Sequence, residues 1–274
     1  MLYTNFRWRK VGEISELFSY PIKSCGWIQL DDLDCEILGP QRNNIRDRTF
    51  MVISDSGEFV TARKYPKLVQ IMPYIDGDDL KISAPDTSHI NISFNQLSKI
   101  TSSRAVIWNE SVEVVDCGDA VSKWISEFIL SEKSGLRLVY YRSSMPSRDV
   151  REKNKAFDTT FRKDVGALHD ASSFMLINQK SVDDLNSKVF NPVTPLQFRP
   201  NFVVIGPDAF EEDAWNYIKI GKDVILQNVK PCSRYLEKLN LFSNNLPNIF
   251  EGAFSQILIL LRLRKMNTMS RCKH

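Results

Sequence analysis

The sequence predicts a mainly β protein with some α, built as two β-rich units in series. Short apolar runs recur from Val11 to Val229, each bounded by turn residues, as in a barrel or sandwich and unlike a parallel α/β sheet. Asp119–Ser131 breaks that pattern with a helical stripe of Ala120, Val121, Trp124, Ile125, Phe128 and Ile129. A length of 274 residues accommodates one large domain or two small ones.

Taken in order, Val11–Tyr20 reads as a strand that Pro21 ends, because proline has no N–H to donate. Lys23 and Ser24 then fall in a turn, where a solvated lysine is the plain reading. Gln29–Glu36 is a second strand, and Gly39–Arg48 a polar loop. Thr49–Ile53 and Phe59–Ala62 form a hairpin across Asp55-Ser56-Gly57. Further strands are expected at Val69–Met72, Leu80–Ser83, Ile90–Ile92, Ala105–Trp108 and Val112–Val115. After the helix come strands at Leu136–Tyr141 and Phe174–Ile177, the second short and apolar and hence buried. Arg142–Asp164 reads as a basic, solvated loop. Ser181 is placed to cap a helix running to about Lys188. Phe202–Ile205, Tyr217–Ile220 and Val224–Val229 complete the strands. Beyond Tyr235 nothing resembles a strand that would close a barrel; Ile257–Leu263 is expected to lie loosely over an open edge or stay exposed.

The totals exclude several classes. A net charge of +3 is too small for a nucleic-acid binder. Five cysteines, Cys25, Cys35, Cys117, Cys232 and Cys272, contain no CxxC pair, which speaks against a disulfide framework or a zinc site and for a reducing, intracellular compartment. No apolar run approaches the ~20 residues of a membrane span. No dinucleotide or phosphate loop of glycine-rich type occurs, and no GxSxG elbow.

The chemistry concentrates in Phe198–Tyr235. Arg199 and Asn201 precede one strand, and Cys232, Ser233 and Arg234 follow another, with a turn at Gly221 between them. An arginine and a thiol brought to one end of a barrel suit an anionic ligand and a soft metal. Arg48 sits at the mouth of an earlier strand, with a surface ion pair to Asp47 or Asp31 as its plainer alternative.

Several motifs appear in collinear order: Tyr20-Pro21-Ile22-Lys23-Ser24-Cys25, Asn44-Ile45-Arg46-Asp47-Arg48, Val60-Thr61-Ala62-Arg63, Asp116-Cys117-Gly118 with Trp124, Asp170-Ala171-Ser172, Phe198-Arg199-Pro200-Asn201 and Cys232-Ser233-Arg234. With them the chain resembles the MOSC-domain family, and within it the mitochondrial amidoxime-reducing group. The resemblance implies an N-terminal β-barrel domain over residues 11–132, an incomplete MOSC barrel over 133–235 and a divergent tail over 236–274. It implies a molybdenum–molybdopterin cofactor between the two barrels. Lys23, Ser24, Arg48, Arg199 and Asn201 match the positions that hold its phosphate, Asp170, Ala171 and Ser172 a loop at its pterin end, and Cys232, Ser233 and Arg234 the motif beside the metal.

In that family the reaction is reduction of small N-hydroxylated substrates such as amidoximes. Electrons come from NADH through cytochrome b5 reductase and cytochrome b5, at the mitochondrial outer membrane. The membrane anchor that precedes the first strand in those members has no counterpart in Met1–Lys10, so a cytosolic location is the alternative. The family's metal ligand is a cysteine three residues after the first; here that position is Tyr235, with Cys232 a weak substitute, so no metal ligand is secure. The chain therefore reads as an impaired member. A cofactor carrier like the C-terminal part of molybdenum cofactor sulfurase, or a non-catalytic truncated isoform, are the other expectations.

Overall fold

The computed structural model describes residues 7–149, 166–231, 258–264 and 271–273. In chain order it has β1 (Glu13–Ser19), β2 (Ile28–Leu30), β3 (Asp32–Glu36), β4 (Gly39–Arg42), β5 (Ile45–Arg46), β6 (Phe50–Ser54), β7 (Met72–Asp76), β8 (Asp79–Ser83), β9 (Ile90–Ile92), a one-turn helix α1 (Phe94–Leu97), β10 (Ser103–Ile107), β11 (Glu110–Asp116), α2 (Asp119–Leu130) and β12 (Leu136–Tyr140). The second part has β13 (Phe174–Asn178), α3 (Gln179–Asn186), β14 (Phe202–Ile205), β15 (Tyr217–Ile220), β16 (Val224–Pro231), β17 (Leu258–Arg264) and β18 (Arg271–Lys273). The protein is thus mostly β, and β13–β14 is the one parallel strand pair among the described residues.

Two sheets carry the architecture. The larger runs β15-β16-β17-β13-β14-β1-β2, and a four-stranded sheet runs β10-β11-β12-β6. Their strands alternate between two cores, as a pleat requires. Phe174, Leu176, Phe202 and Val204 enter one core, while Met175, Ile177 and Val203 enter the core under α3. A bulge between Ile14 and Glu16 in β1 keeps Ile14 and Leu17 on the same face despite their odd spacing. In the smaller sheet Phe50, Val52, Leu136 and Leu138 meet the α2 stripe of Val121, Ile125 and Ile129, and Met51, Ile53 and Val139 face away from it. Ser126 on α2 ties the helix to β12 through both the N–H and the C=O of Leu136. The pairing crosses the expected 132/133 boundary in both directions. β1 and β2 join the strands of the second part, and β12 joins β6 and β11 of the first.

Several local expectations are corrected. Pro66 starts a 3-10 turn over Pro66–Gln70, so the strand read at Val69–Met72 begins only at Met72. The loop at 39–48 contains the small β4–β5 hairpin, turned at Asn43 with φ 52°. The return strand at Phe59–Ala62 reduces to one bridge, Ile53 to Phe59. The cap of α3 is Asn178, which accepts from the Lys180 N–H at 3.1 Å. Ser181 lies one turn further in and is buried against Glu212. The largest correction is the tail: β17 is hydrogen-bonded between β16 and β13, inside the sheet.

Candidate functional site

The candidate site is built where three loops meet at one end of β1 and β14. The loop after β1 lies beside the entry to β6: Arg48 N–H donates to Tyr20 O at 2.8 Å, Phe50 N–H to Pro21 O at 2.9 Å and Lys23 N–H to Phe50 O at 2.8 Å. The turn before β14 joins them through Arg199 and Asn201. Ser24, Arg48 and Arg199 all have positive φ, at 69°, 47° and 61°. Non-glycine residues seldom adopt that region, and a concentration of them marks loops held in shape by their surroundings.

Asp47 is the hub. It is fully buried and accepts from four donors. Its Oδ1 takes the Tyr20 N–H at 2.6 Å and Asn201 Nδ2 at 3.2 Å; its Oδ2 takes His169 Nε2 at 3.0 Å and the Arg48 guanidinium. Burial pushes its carboxyl up, but Arg48, His169 and the backbone donor outweigh it and hold the group below the usual carboxylate range. His169 is also buried, and burial pushes its imidazole down to about 4 against the opposing pull of Asp47. It is neutral at pH 7, with the proton on Nε2 facing Asp47. Its Nδ1 meets no hydrogen-bond partner among the described residues. A methyl on Gly166 would lie 2.6 Å from that atom, so glycine there leaves room for the ring.

The three predicted cations converge. Arg48 donates to the Arg199 carbonyl at 3.0 Å, and the guanidinium carbons of Arg48 and Arg199 lie 4.9 and 4.3 Å from the centre of the Tyr20 ring. Arg199 also donates to the Cys25 carbonyl. Lys23 donates to Leu168 O at 3.0 Å and to the Asp170 carboxylate, while the Leu168 N–H donates to Arg48 O. Lys23 is not a solvated turn lysine: it is 6 % exposed and sits over Trp108 and Phe59, 5.6 and 5.9 Å from their ring centres. The Arg48–Asp47 pair weighed from sequence is present, but buried and not a weak surface contact. Arg148, read as part of a solvated loop, is 2 % exposed. Its guanidinium donates to the carbonyls of Ala167 and His169, fixing the loop that carries His169 and Asp170.

Other predicted residues take different places. Asn201 spends both amide protons inside the protein, on Phe18 O and Asp47, and accepts from the Met175 N–H. Its geometry is that of a staple holding Asp47. Ala171 packs against the core under α3, and the Ser172 hydroxyl donates to Phe174 O at 3.2 Å. Cys25 is buried, and burial pushes its thiol up to about 12. Cys232, Ser233, Arg234 and Tyr235 lie outside the described residues. Sequence reasoning missed Asp47 as a hub and His169 as its partner. Their one signal was position, each next to a residue already singled out.

The donor set has the chemistry of an anion site. Among the described residues, Lys23, Arg48 and Arg199 meet two carboxylates, Asp47 and Asp170, with His169 neutral. Lys23 and Arg48 lie behind, while Arg199, Ser24 and Asp170 are only partly covered. Arg199 is thus the most accessible of the three cations, and Lys23 is already engaged by Asp170.

The sequence matches the MOSC N-terminal beta barrel domain over residues 11–132 and the MOSC domain over residues 163–236. Mitochondrial amidoxime-reducing component 1 of Homo sapiens is 34% identical over 226 residues, covering 82% of this chain and 65% of that protein. The Mus musculus protein of the same name is 34% identical over 84% of this chain and 66% of its own length, and that of Danio rerio 33% identical over 83% and 68%. The chain thus spans about two thirds of the length of the curated relatives it matches. No helix among the described residues is long and apolar enough to cross a membrane.

Proposed function

The chain belongs to the MOSC family, and on that premise we propose that it binds a molybdenum–molybdopterin cofactor at the Lys23–Arg48–Arg199 cluster. The observation that carries this reading is the gathering of three sequence-distant cations at one end of β1 and β14. Arg48 and Arg199 are the forked donors for a phosphate, and Lys23 the point charge behind them. Ser24 lies on the same loop, and Asp170, Ala171 and Ser172 flank the pterin end. Asp47, Asn201 and Arg148 are positioning residues. The motif Cys232, Ser233 and Arg234 supplies the remaining contacts in this reading.

When bound, such a cofactor supplies a redox-active metal for reducing an N–O bond. The substrates in this reading are small N-hydroxylated compounds such as amidoximes, with NADH-derived electrons arriving through cytochrome b5 reductase and cytochrome b5. The names of the relatives support that class, and a mitochondrial location. His169 is no general acid at pH 7, because it is neutral and its Nε2 proton is committed to Asp47. Tyr235 in place of a thiolate favours a second reading, a cofactor-holding protein with little reductase activity. A phenol titrates near ~10 and ionises far less readily than a thiol at ~8.5.

Metal analysis of purified protein, alongside benzamidoxime reduction reconstituted with NADH, the reductase and cytochrome b5, tests both. Molybdenum near one atom per chain is expected, lost in Arg199→Ala. Turnover then supports the reductase reading, and metal without turnover the carrier. Protein that takes up no molybdenum from a cofactor-producing host overturns both.

A further inference from the structure

The small sheet β18-β3-β4-β5 holds β3 between two antiparallel neighbours, β4 on one side and β18 on the other. Residues 31–36 carry four acids in six positions. Within β3 the acids alternate with apolar residues. Leu33 and Cys35 are buried in the core that also takes Phe174 and Phe202, whereas Asp32, Asp34 and Glu36 are half-buried on the other face. Asp32 shares Arg42 of β4, and Asp34 stands opposite the neutral Gln41. Asp34 and Glu36 make no ion pair among the described residues. Charges along a sheet edge commonly keep other strands away. This edge instead carries one. The register sets Arg271 opposite Asp34, Cys272 opposite Leu33 and Lys273 opposite Asp32. Directly opposed residues are the pairs through which strands select one another, and opposite charges there favour pairing. The seated strand stops at Asp34, leaving Cys35 and Glu36 of β3 beyond its end.

We infer that the outer edge of β3 is a strand-addition site for an extended basic peptide segment, cationic at alternate positions, and that residues 271–273 occupy it in cis in competition with such a segment. Main-chain hydrogen bonds give strand addition its affinity, and the alternate side chains give it selectivity. An antiparallel segment reading cation–apolar–cation–apolar–cation would match β3 from Asp32 to Glu36. Its apolar residues would stand opposite Leu33 and Cys35, on the buried face, and its cations opposite the three acids. At three residues β18 is shorter than the usual strand of roughly 5–6, so a segment spanning all of β3 offers more hydrogen bonds. The acids are partly open to solvent, so the attraction weakens with salt. The edge needs no cofactor.

The test is fluorescence anisotropy at low salt with a labelled, amidated peptide Lys-Val-Arg-Val-Lys, titrated with the full chain and with its double variant Arg271→Glu/Lys273→Glu. The double variant, whose charges no longer match the edge, is expected to bind with Kd on the order of 10–100 μM. The unmodified chain is expected to bind at least fivefold more weakly. Glu-Val-Glu-Val-Glu should not bind below about 1 mM. Nor should the basic peptide with every backbone amide N-methylated, which keeps its charge and loses its ladder donors. Asp34→Lys added to the double variant should weaken the basic peptide at least tenfold. If that triple variant folds poorly by circular dichroism, Glu36→Lys in its place, at about threefold, carries the decision. No binding of the basic peptide to the double variant below about 1 mM overturns the inference. Equal binding of the N-methylated peptide overturns it too, as does an unchanged affinity in the well-folded edge variants. Equal affinity of the unmodified chain and the double variant overturns the competition in cis. A dimer by light scattering that the double variant disperses would put residues 271–273 on another copy, and overturns it as well.

Discussion

Asp47→Asn isolates the hub of the candidate site with almost no change in shape. All four groups around the carboxylate are donors: the Tyr20 N–H, Asn201 Nδ2, Arg48 and His169 Nε2. An amide NH₂ therefore faces two donors whichever way it is turned. The ring of His169 can relieve one clash by moving its proton to Nδ1, which faces Gly166. Arg48 has no such escape, and its 9 % exposed side chain is left without the buried counter-ion. Removing one partner of a buried ion pair costs about 3–5 kcal/mol, and a recovered imidazole hydrogen bond returns about 1 kcal/mol. A net loss of about 3 kcal/mol is expected. With a urea slope near 3 kcal/mol/M, the midpoint falls by about 1 M. Asp208→Asn is the control, because its pair with Lys180 is open to solvent and no measurable shift is expected there. A midpoint change in Asp47→Asn no larger than in that control would refute the hub.

Three further outcomes follow from the same geometry. Stability is expected to fall as pH drops from about 6.5 towards 4, because His169 stays neutral in the fold to about 4 while the unfolded chain takes up its proton near 6.5; the Asp47 contribution, lowered in the fold, persists until more acidic pH, and urea midpoints of His169→Gln should be flatter across that window. Asp170→Asn frees Lys23 from its carboxylate, so pyrophosphate affinity by titration should rise roughly three- to tenfold and fall with salt, whereas unchanged affinity would separate Lys23 from the anion site. Ending the chain after Arg234 removes β17 from between β16 and β13 and leaves two open edges; aggregation by size-exclusion chromatography is expected, and a soluble monomer with unchanged melting temperature would show that β17 contributes nothing to the sheet.

The sequence by itself determined what depends on nearest neighbours along the chain. The α2 stripe was legible because Val121, Ile125 and Ile129 share one helical face, and α2 spans Asp119–Leu130 as that stripe requires. The apolar run Phe174–Ile177 announced a buried strand, and β13 is buried throughout. The motifs also named the loops that meet at the candidate site. Tertiary structure decided the rest. Whether Lys23 is solvated or buried depends on Leu168, Asp170, Phe59 and Trp108, none of them near it in the chain. Whether Asn201 faces a ligand or staples Asp47 depends on Phe18 and Met175. The apolar residues after Ile257 signal a strand only where two unpaired edges, β13 and β16, wait on either side. Local pattern fixes which face of a segment is apolar, but the cost of burying a charge or leaving a backbone edge unpaired is settled by groups that only the fold brings within a few ångströms.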